Sequence, residues 1–204
     1  RMFPPRAISA DQLALTSEVQ ALCQQSDGLV LVTGARASGK STLLNAFVDL
    51  INRTRSDHLI TIESQIGFVH ESRRSFISQR ETRGDAELAA TFARAALRED
   101  PDVMVIEDLK SAEVVAAALE AAESGRLVLA SVPASSTIGA LERLIEMFPA
   151  DRRAKARMSL GTPAISSISN LLASATLAVL YLGFMIASRQ MLATKLTGLA
   201  RTPE

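Results

Sequence analysis

The sequence predicts an α/β fold, a mostly parallel sheet with helices on both faces, and three observations carry that expectation. Short apolar runs of strand length alternate along the chain with longer runs of helical periodicity. The strand-length runs are apolar almost throughout, the pattern of strands covered by helices on both sides. With 204 residues and 48% hydrophobic side chains, the chain has enough apolar surface for a substantial core.

Residues 1–27 are read as an entry segment, and the first strand is Gly28 to Thr33 (Gly-Leu-Val-Leu-Val-Thr). It runs into Gly34-Ala35-Arg36-Ala37-Ser38-Gly39-Lys40-Ser41-Thr42, which has the spacing of a phosphate-binding loop, and the amphipathic run Thr42 to Ile51 follows as a helix. A strand before and a helix after are the context such a loop needs. The turn's backbone N–H groups can surround phosphate oxygens, and the helix points its positive N-terminal end at the same place. Lys40 supplies charge for the β and γ phosphates, and the Ser41 hydroxyl suits Mg²⁺. Gly34, Ala35, Arg36, Ala37, Ser38, Gly39, Lys40, Ser41 and Thr42 are therefore the candidate nucleotide-binding residues, with ATP or ADP as ligand and Mg²⁺ as cofactor.

Asp57 to Ile62 (Asp-His-Leu-Ile-Thr-Ile) reads as the next strand, and no element is assigned between Glu63 and Asp85. An Ala-rich helix from Asp85 to Arg98, a buried strand from Asp102 to Glu107 and a helix from about Ala112 to Glu123 come next. A strand from Arg126 to Ser131 and a helix from about Ile138 to Met147 complete the series. Sheets of this kind bind ligands at the carboxyl ends of their strands, where the Gly34 loop, Glu63 and the Glu107-Asp108 pair all fall.

The C-terminal region, residues 158–204, is unusually apolar. No charged residue stands between Arg157 and Arg189, and Leu171 to Ser188 approaches the roughly 18 to 20 residues of a membrane span. A transmembrane helix and a helix followed by buried strands are both open. The buried reading is favoured, because Asn170 abuts the run and Ser174 and Thr176 interrupt it. On that reading residues 1–204 form one domain.

Charge and cysteine content narrow the function classes. Lys plus Arg and Asp plus Glu are balanced at 22 each, so no basic field recommends a nucleic-acid partner. The lone Cys23 excludes an intramolecular disulfide framework and a tetracysteine zinc site. His58 and His70 are too few and too far apart in sequence to make a recognisable metal site.

Beyond the loop, several segments closely resemble the type II/IV secretion ATPases, above all the motors that retract type IV pili (PilT-like). They are Ile51-Asn52-Arg53-Thr54-Arg55-Ser56-Asp57-His58, Ile60-Thr61-Ile62-Glu63, Phe68-Val69-His70-Glu71-Ser72, Gln79-Arg80-Glu81, Ala95 to Asp102 and Ala121 to Gly125. The resemblance is colinear over roughly Arg1 to Arg157. It implies a RecA-like P-loop NTPase core and a hexamer at the cytoplasmic base of a membrane machine, peripheral to the inner membrane, with a pilus or secretion platform protein as partner. The family's PAS-like N-terminal domain is not expected ahead of this loop. By the same resemblance Glu63 and Asp108 are the catalytic candidates, Glu63 helping to hold Mg²⁺, directly or through water. Arg80, Arg94 and Arg98 are candidates for reaching phosphate in this or an adjacent subunit, and Lys110 stands at a family arginine position.

Four departures from the family pattern bear on chemistry. Ala37 stands at a glycine position, and the acidic box reads Glu63-Ser64 where the family has Glu-Asp. Asp108 replaces a glutamate and Pro133 a histidine. A methyl at Ala37 matters only if the backbone there needs φ > 0. Asp108 is one methylene shorter than Glu, about 1 Å of reach, and such a misplacement can cost on the order of 10²-fold in rate. Pro133 offers no side-chain donor or charge. Glu107 is not expected to replace Asp108, because neighbouring strand residues point to opposite faces unless a bulge intervenes. Two functions follow: a motor-type ATPase with weakened hydrolysis, or a nucleotide-binding subunit or scaffold that does not hydrolyse.

Overall fold

The computed structural model describes residues 9–160, all within the first of two compact units, Arg1–Ser167. The reading of Leu171 to Ser188 lies outside the described residues. Five strands form one sheet: β1 (Gly28–Gly34), β2 (His58–Glu63), β3 (Phe76–Glu81), β4 (Val103–Ile106) and β5 (Leu127–Pro133). Their spatial order is β1-β5-β4-β2-β3, and every pairing is parallel. The strand that feeds the phosphate loop is thus separated by β5 from the strand that ends at Ile106.

The helices include α1 (Ser17–Ala21), α2 (Lys40–Thr54), α3 (Ala86–Leu97), α4 (Ala112–Glu123) and α5 (Thr137–Glu146). Each of the last three starts where a side chain satisfies an otherwise open backbone N–H. Asp85 accepts from Glu87 and Leu88, Ser111 from Val114, and Ser136 from Gly139. Among the described residues no helix is long and apolar enough to cross a membrane.

Strand alternation sorts the core into two sides. Ile60, Ile62, Met104, Ile106, Val128, Ala130 and Val132 pack with the alanine-rich faces of α3 and α4 and with Ala140 and Leu144 of α5. Thr61, Glu63, Val105 and Glu107 point the other way, to the α2 side, where they meet Ser41, Leu44, Asn45 and Val48. The expected parallel α/β architecture is thus the observed one. One element was not anticipated: Phe76–Glu81 is a parallel edge strand joined to β2 without an intervening helix.

Candidate functional site

The phosphate loop rises from β1 into the N-terminus of α2. Gly39, the cap residue, adopts φ +92°, and no side chain caps the helix, so its first-turn N–H groups are left for a ligand. Ala37 adopts φ +57°, so this position does require the left-handed conformation that favours glycine. Lys40 Nζ donates to the carbonyls of Gly34 (3.0 Å) and Ala35 (2.7 Å), folded back over the loop it would serve. Burial lowers its pKa, and the nearby charge of Asp108 acts in the opposite direction. Ser38 Oγ is buried without a hydrogen-bond partner.

Three carboxylates gather at the strand ends, and they are not equivalent. Glu63 is buried (7% exposed). Its Oε1 accepts from Thr61 Oγ1 (2.7 Å) and Gln79 Nε2 (3.0 Å). Burial raises its pKa, against those two hydrogen bonds. Glu107 Oε1 accepts from Ser41 Oγ at 2.8 Å, and its Oε2 from the Ser64 N–H at 2.6 Å. Asp108 lies among Ile62, Ser64, Thr82, Asp85 and Lys110, with Oδ2 3.7 Å from Lys110 Nζ. Its Oδ1 is buried and unpartnered, and burial raises its pKa more than Lys110 lowers it.

Alternation does separate Glu107 from Asp108, but Glu107 is the one on the loop's side of the sheet. Glu63 makes no hydrogen bond to Ser41; among the described residues, its side-chain bonds run to Thr61 and Gln79.

A polar chain ties the loop to the segment between β2 and β3. Asn45 Nδ2 donates to the Ser41 carbonyl (2.9 Å), and Asn45 Oδ1 lies 2.9 Å from Nε2 of the buried His70. With the amide in that orientation the proton sits on Nε2. The His70 N–H donates to Gln79 Oε1 (2.7 Å), which closes the circuit back to Glu63. Desolvation pushes the His70 pKa down to about 4, so the ring is neutral near pH 7. Asn45 was not singled out by the sequence; Gln79 stood there only within a family-like segment and Glu107 only beside Asp108, and the contacts across the fold reveal what each touches.

Other expected residues are engaged elsewhere. Arg80 forms two 2.5 Å hydrogen bonds to Glu99 and stacks over Phe92, while Arg94 on α3 and Arg98 at its C-terminal cap are exposed. The His58 ring leans on Phe76, and Cys23 is a free, buried thiol. Pro133 ends β5, and its carbonyl accepts from Arg143 (3.3 Å).

The residues present fit a nucleotide with Mg²⁺. An uncapped helix start, a lysine on a short tether and a hydroxyl beside a carboxylate make a phosphate-and-metal donor set, and two buried oxygens, Ser38 Oγ and Asp108 Oδ1, lack partners. Among the described residues no three His, Cys, Asp or Glu side chains converge into a metal cage. That agrees with Mg²⁺, which typically takes one or two carboxylates plus phosphate oxygens and water.

Residues 7–180 match the model of the family described as Type II/IV secretion system protein. The chain is 37% identical over 172 residues to the Type IV pilus retractation ATPase PilT of Pseudomonas aeruginosa, covering 84% of this chain and 50% of that one. Among solved structures it is similar to the pilus retraction motor PilT with bound ADP (TM-score 0.73, 38% identity, 80% of this chain and 48% of the other). It is also similar to the Legionella pneumophila ATPase DotB (TM-score 0.73, 27% identity, 80% and 46%). The chain spans about half the length of the curated relatives it matches.

Proposed function

The chain belongs to the Type II/IV secretion system protein family, and from that premise we propose that it is an ATP-binding, motor-type domain of a pilus or secretion machine with weakened hydrolysis. The observation that carries this reading is the phosphate loop on an uncapped helix N-terminus, facing carboxylates from two further strands.

In this reading the backbone from Gly34 to Thr42 receives the phosphates and Lys40 leaves the Gly34 and Ala35 carbonyls to pair with them. Ser41 and a neighbouring carboxylate would hold Mg²⁺, which would supply charge neutralisation for the phosphates. Glu63, on the α2 side of the sheet, helps orient the attacking water. Asp108 turns its unpartnered Oδ1 toward that water at the cost of its ion pair with Lys110. Hydrolysis is slow because Asp108 is short and drawn to Lys110, and because Pro133 brings only a carbonyl, already engaged by Arg143, to the end of β5. The domain acts in a homohexamer in the cytoplasm, against an inner-membrane platform protein, with no nucleic-acid partner. Family membership and the balanced charge support these assignments.

The ion pair and the proline also favour a second reading, a subunit that binds nucleotide and does not turn it over. Steady-state ATP hydrolysis and nucleotide binding, measured on the same samples of wild type, Lys40→Ala and Asp108→Glu, separate the two. Turnover lost in Lys40→Ala establishes an ATPase. Binding without turnover, with some activity gained in Asp108→Glu, establishes the degenerate subunit. Equal binding by wild type and Lys40→Ala would sink the loop assignment.

A further inference from the structure

We infer that Gln79 is a positioning residue for Glu63: together with Thr61 it holds one oxygen of the carboxylate and leaves the other to face the cavity beside Ser41. The inference rests on the nucleotide reading above.

The edge strand makes this possible. β3 pairs with β2 in parallel, and Gln79 stands opposite Thr61 in the register. Thr61 and Glu63 are two positions apart on β2, so the three side chains share the α2 side of the sheet. Glu63 Oε1 accepts from both neighbours, Thr61 Oγ1 at 2.7 Å and Gln79 Nε2 at 3.0 Å. Among the described residues no hydrogen bond reaches Oε2. Since Glu63 lines a cavity with Ser41, Asn45 and Glu107, Oε2 is the oxygen left for whatever occupies that cavity.

The Gln79 amide has one workable orientation, and main-chain groups set it. The His70 N–H can only donate and reaches Gln79 Oε1 at 2.7 Å; the Phe68 carbonyl can only accept and takes Nε2 at 2.9 Å. A flipped amide would set donor against donor and acceptor against acceptor, so Nε2 has to face Glu63 as well. The segment that clasps Gln79 is itself tied to the first turn of α2, because His70 Nε2 meets Asn45 Oδ1 and Asn45 Nδ2 donates to the Ser41 carbonyl. Glu63 is thereby oriented relative to the phosphate loop by side chains whose own positions are locked.

The test combines steady-state ATP hydrolysis, Mg-ATP binding by calorimetry and, without nucleotide, exchange of the His70 amide followed by NMR. The chains compared are wild type, Gln79→Met, Gln79→Glu, Thr61→Val, Thr61→Ser and Lys40→Ala. Gln79→Met removes the whole amide; Gln79→Glu keeps an acceptor for the His70 N–H and loses the donor to Glu63. Both, and Thr61→Val, should lower kcat by about tenfold or more, the scale of losing a partner behind a functional carboxylate, with KM and the Mg-ATP dissociation constant unchanged. Thr61→Ser, which keeps the hydroxyl, should recover most of the rate lost in Thr61→Val. The His70 amide should exchange faster in Gln79→Met and stay protected in Gln79→Glu. An undiminished kcat in Gln79→Glu overturns the assignment whatever Gln79→Met does. So does a loss of binding in step with rate, a Thr61→Ser variant as slow as Thr61→Val, or a His70 amide that Gln79→Met leaves unchanged. Lys40→Ala tests the premise separately: it should abolish wild-type turnover, and a wild type without turnover would remove the premise and the assignment together.

Discussion

At the scale of single residues, the site carries two local penalties. Ala37 holds φ +57°, a conformation that costs a residue with a Cβ roughly 1–2 kcal/mol. Glycine relieves that strain but restores about 0.5–1 kcal/mol of unfolded-chain freedom. Ala37→Gly should therefore be neutral or mildly stabilising in chemical denaturation. Ala117→Gly, at a buried position in α4, should cost about 1 kcal/mol or more. Equal losses in both variants would show that Ala37 is not strained. The second penalty is the burial of carboxylates. Asp108 has its pKa raised above 3.8, and Glu63 above 4.5. A raised pKa means that the folded state binds the proton more tightly than the unfolded chain does. The resulting stabilisation is complete below the unfolded value and is lost as pH rises through the folded value. Asp108→Asn should accordingly be more stable than wild type at pH 7, with the difference shrinking toward pH 4. Urea titrations at the two pH values check this, and a gap that does not change with pH would contradict it. His70 adds an opposite slope to the wild-type curve, since its pKa falls from 6.5 to about 4 and its stabilisation is lost on acidification across that interval. The comparison is for this reason made between variants that share it.

At the scale of elements, the segment between β2 and β3 is bound to α2 at the buried amide of Asn52 as well as through Asn45 and His70. Asn52, 2% exposed, donates through Nδ2 to the Glu71 carbonyl (2.8 Å) and accepts through Oδ1 from the Arg73 N–H (2.9 Å). Asn52→Ala leaves both backbone groups without this partner, at a cost of roughly 1–3 kcal/mol each if they stay buried. It should lower stability by about 2 kcal/mol and speed hydrogen exchange in residues 64–81 above all. Uniform acceleration across the chain would mean that the amide supports the whole fold and has no local role. This region is also where the sequence was least legible. The runs 28–33, 57–62 and 126–131 were readable as strands because they are mostly apolar, and β2 and β5 are buried almost throughout. Phe76–Glu81 (Phe-Ile-Ser-Gln-Arg-Glu) lies at the sheet edge, with none of its residues buried, so no apolar run marks it. The loop residues Gly34 to Thr42 were legible as a group because phosphate chemistry constrains their spacing. The part played by Glu107 was not, because it depends on which face of β4 receives α2. That is settled by strand order, not by any local pattern.

At the scale of the whole molecule, the site is a product of topology. Ser41 and Glu107 are 66 positions apart in sequence, and Ser64 and Glu107 43 apart. They meet because parallel strands all present their carboxyl ends at one edge, where Ser41 of α2 lines a common cavity with Thr61, Glu63, Val105 and Glu107. A nucleotide bound there would touch several distant segments at once, so binding should register as a change in the whole edge. With Mg-ATP at about 100 times its dissociation constant, linkage adds about 2.7 kcal/mol to the folded state. The added protection should appear in hydrogen exchange at three separate stretches: residues 34–42, residues 63–70 through Asn45 and His70, and residues 105–110. Protection of all three in wild type, and of none in Lys40→Ala, is the outcome expected of a site assembled across the sheet. Protection of residues 34–42 alone would mean that the loop binds phosphate without engaging the carboxylates. That result would leave the domain a nucleotide binder with no route from the γ-phosphate to the strands, and motor action would then have to be given up.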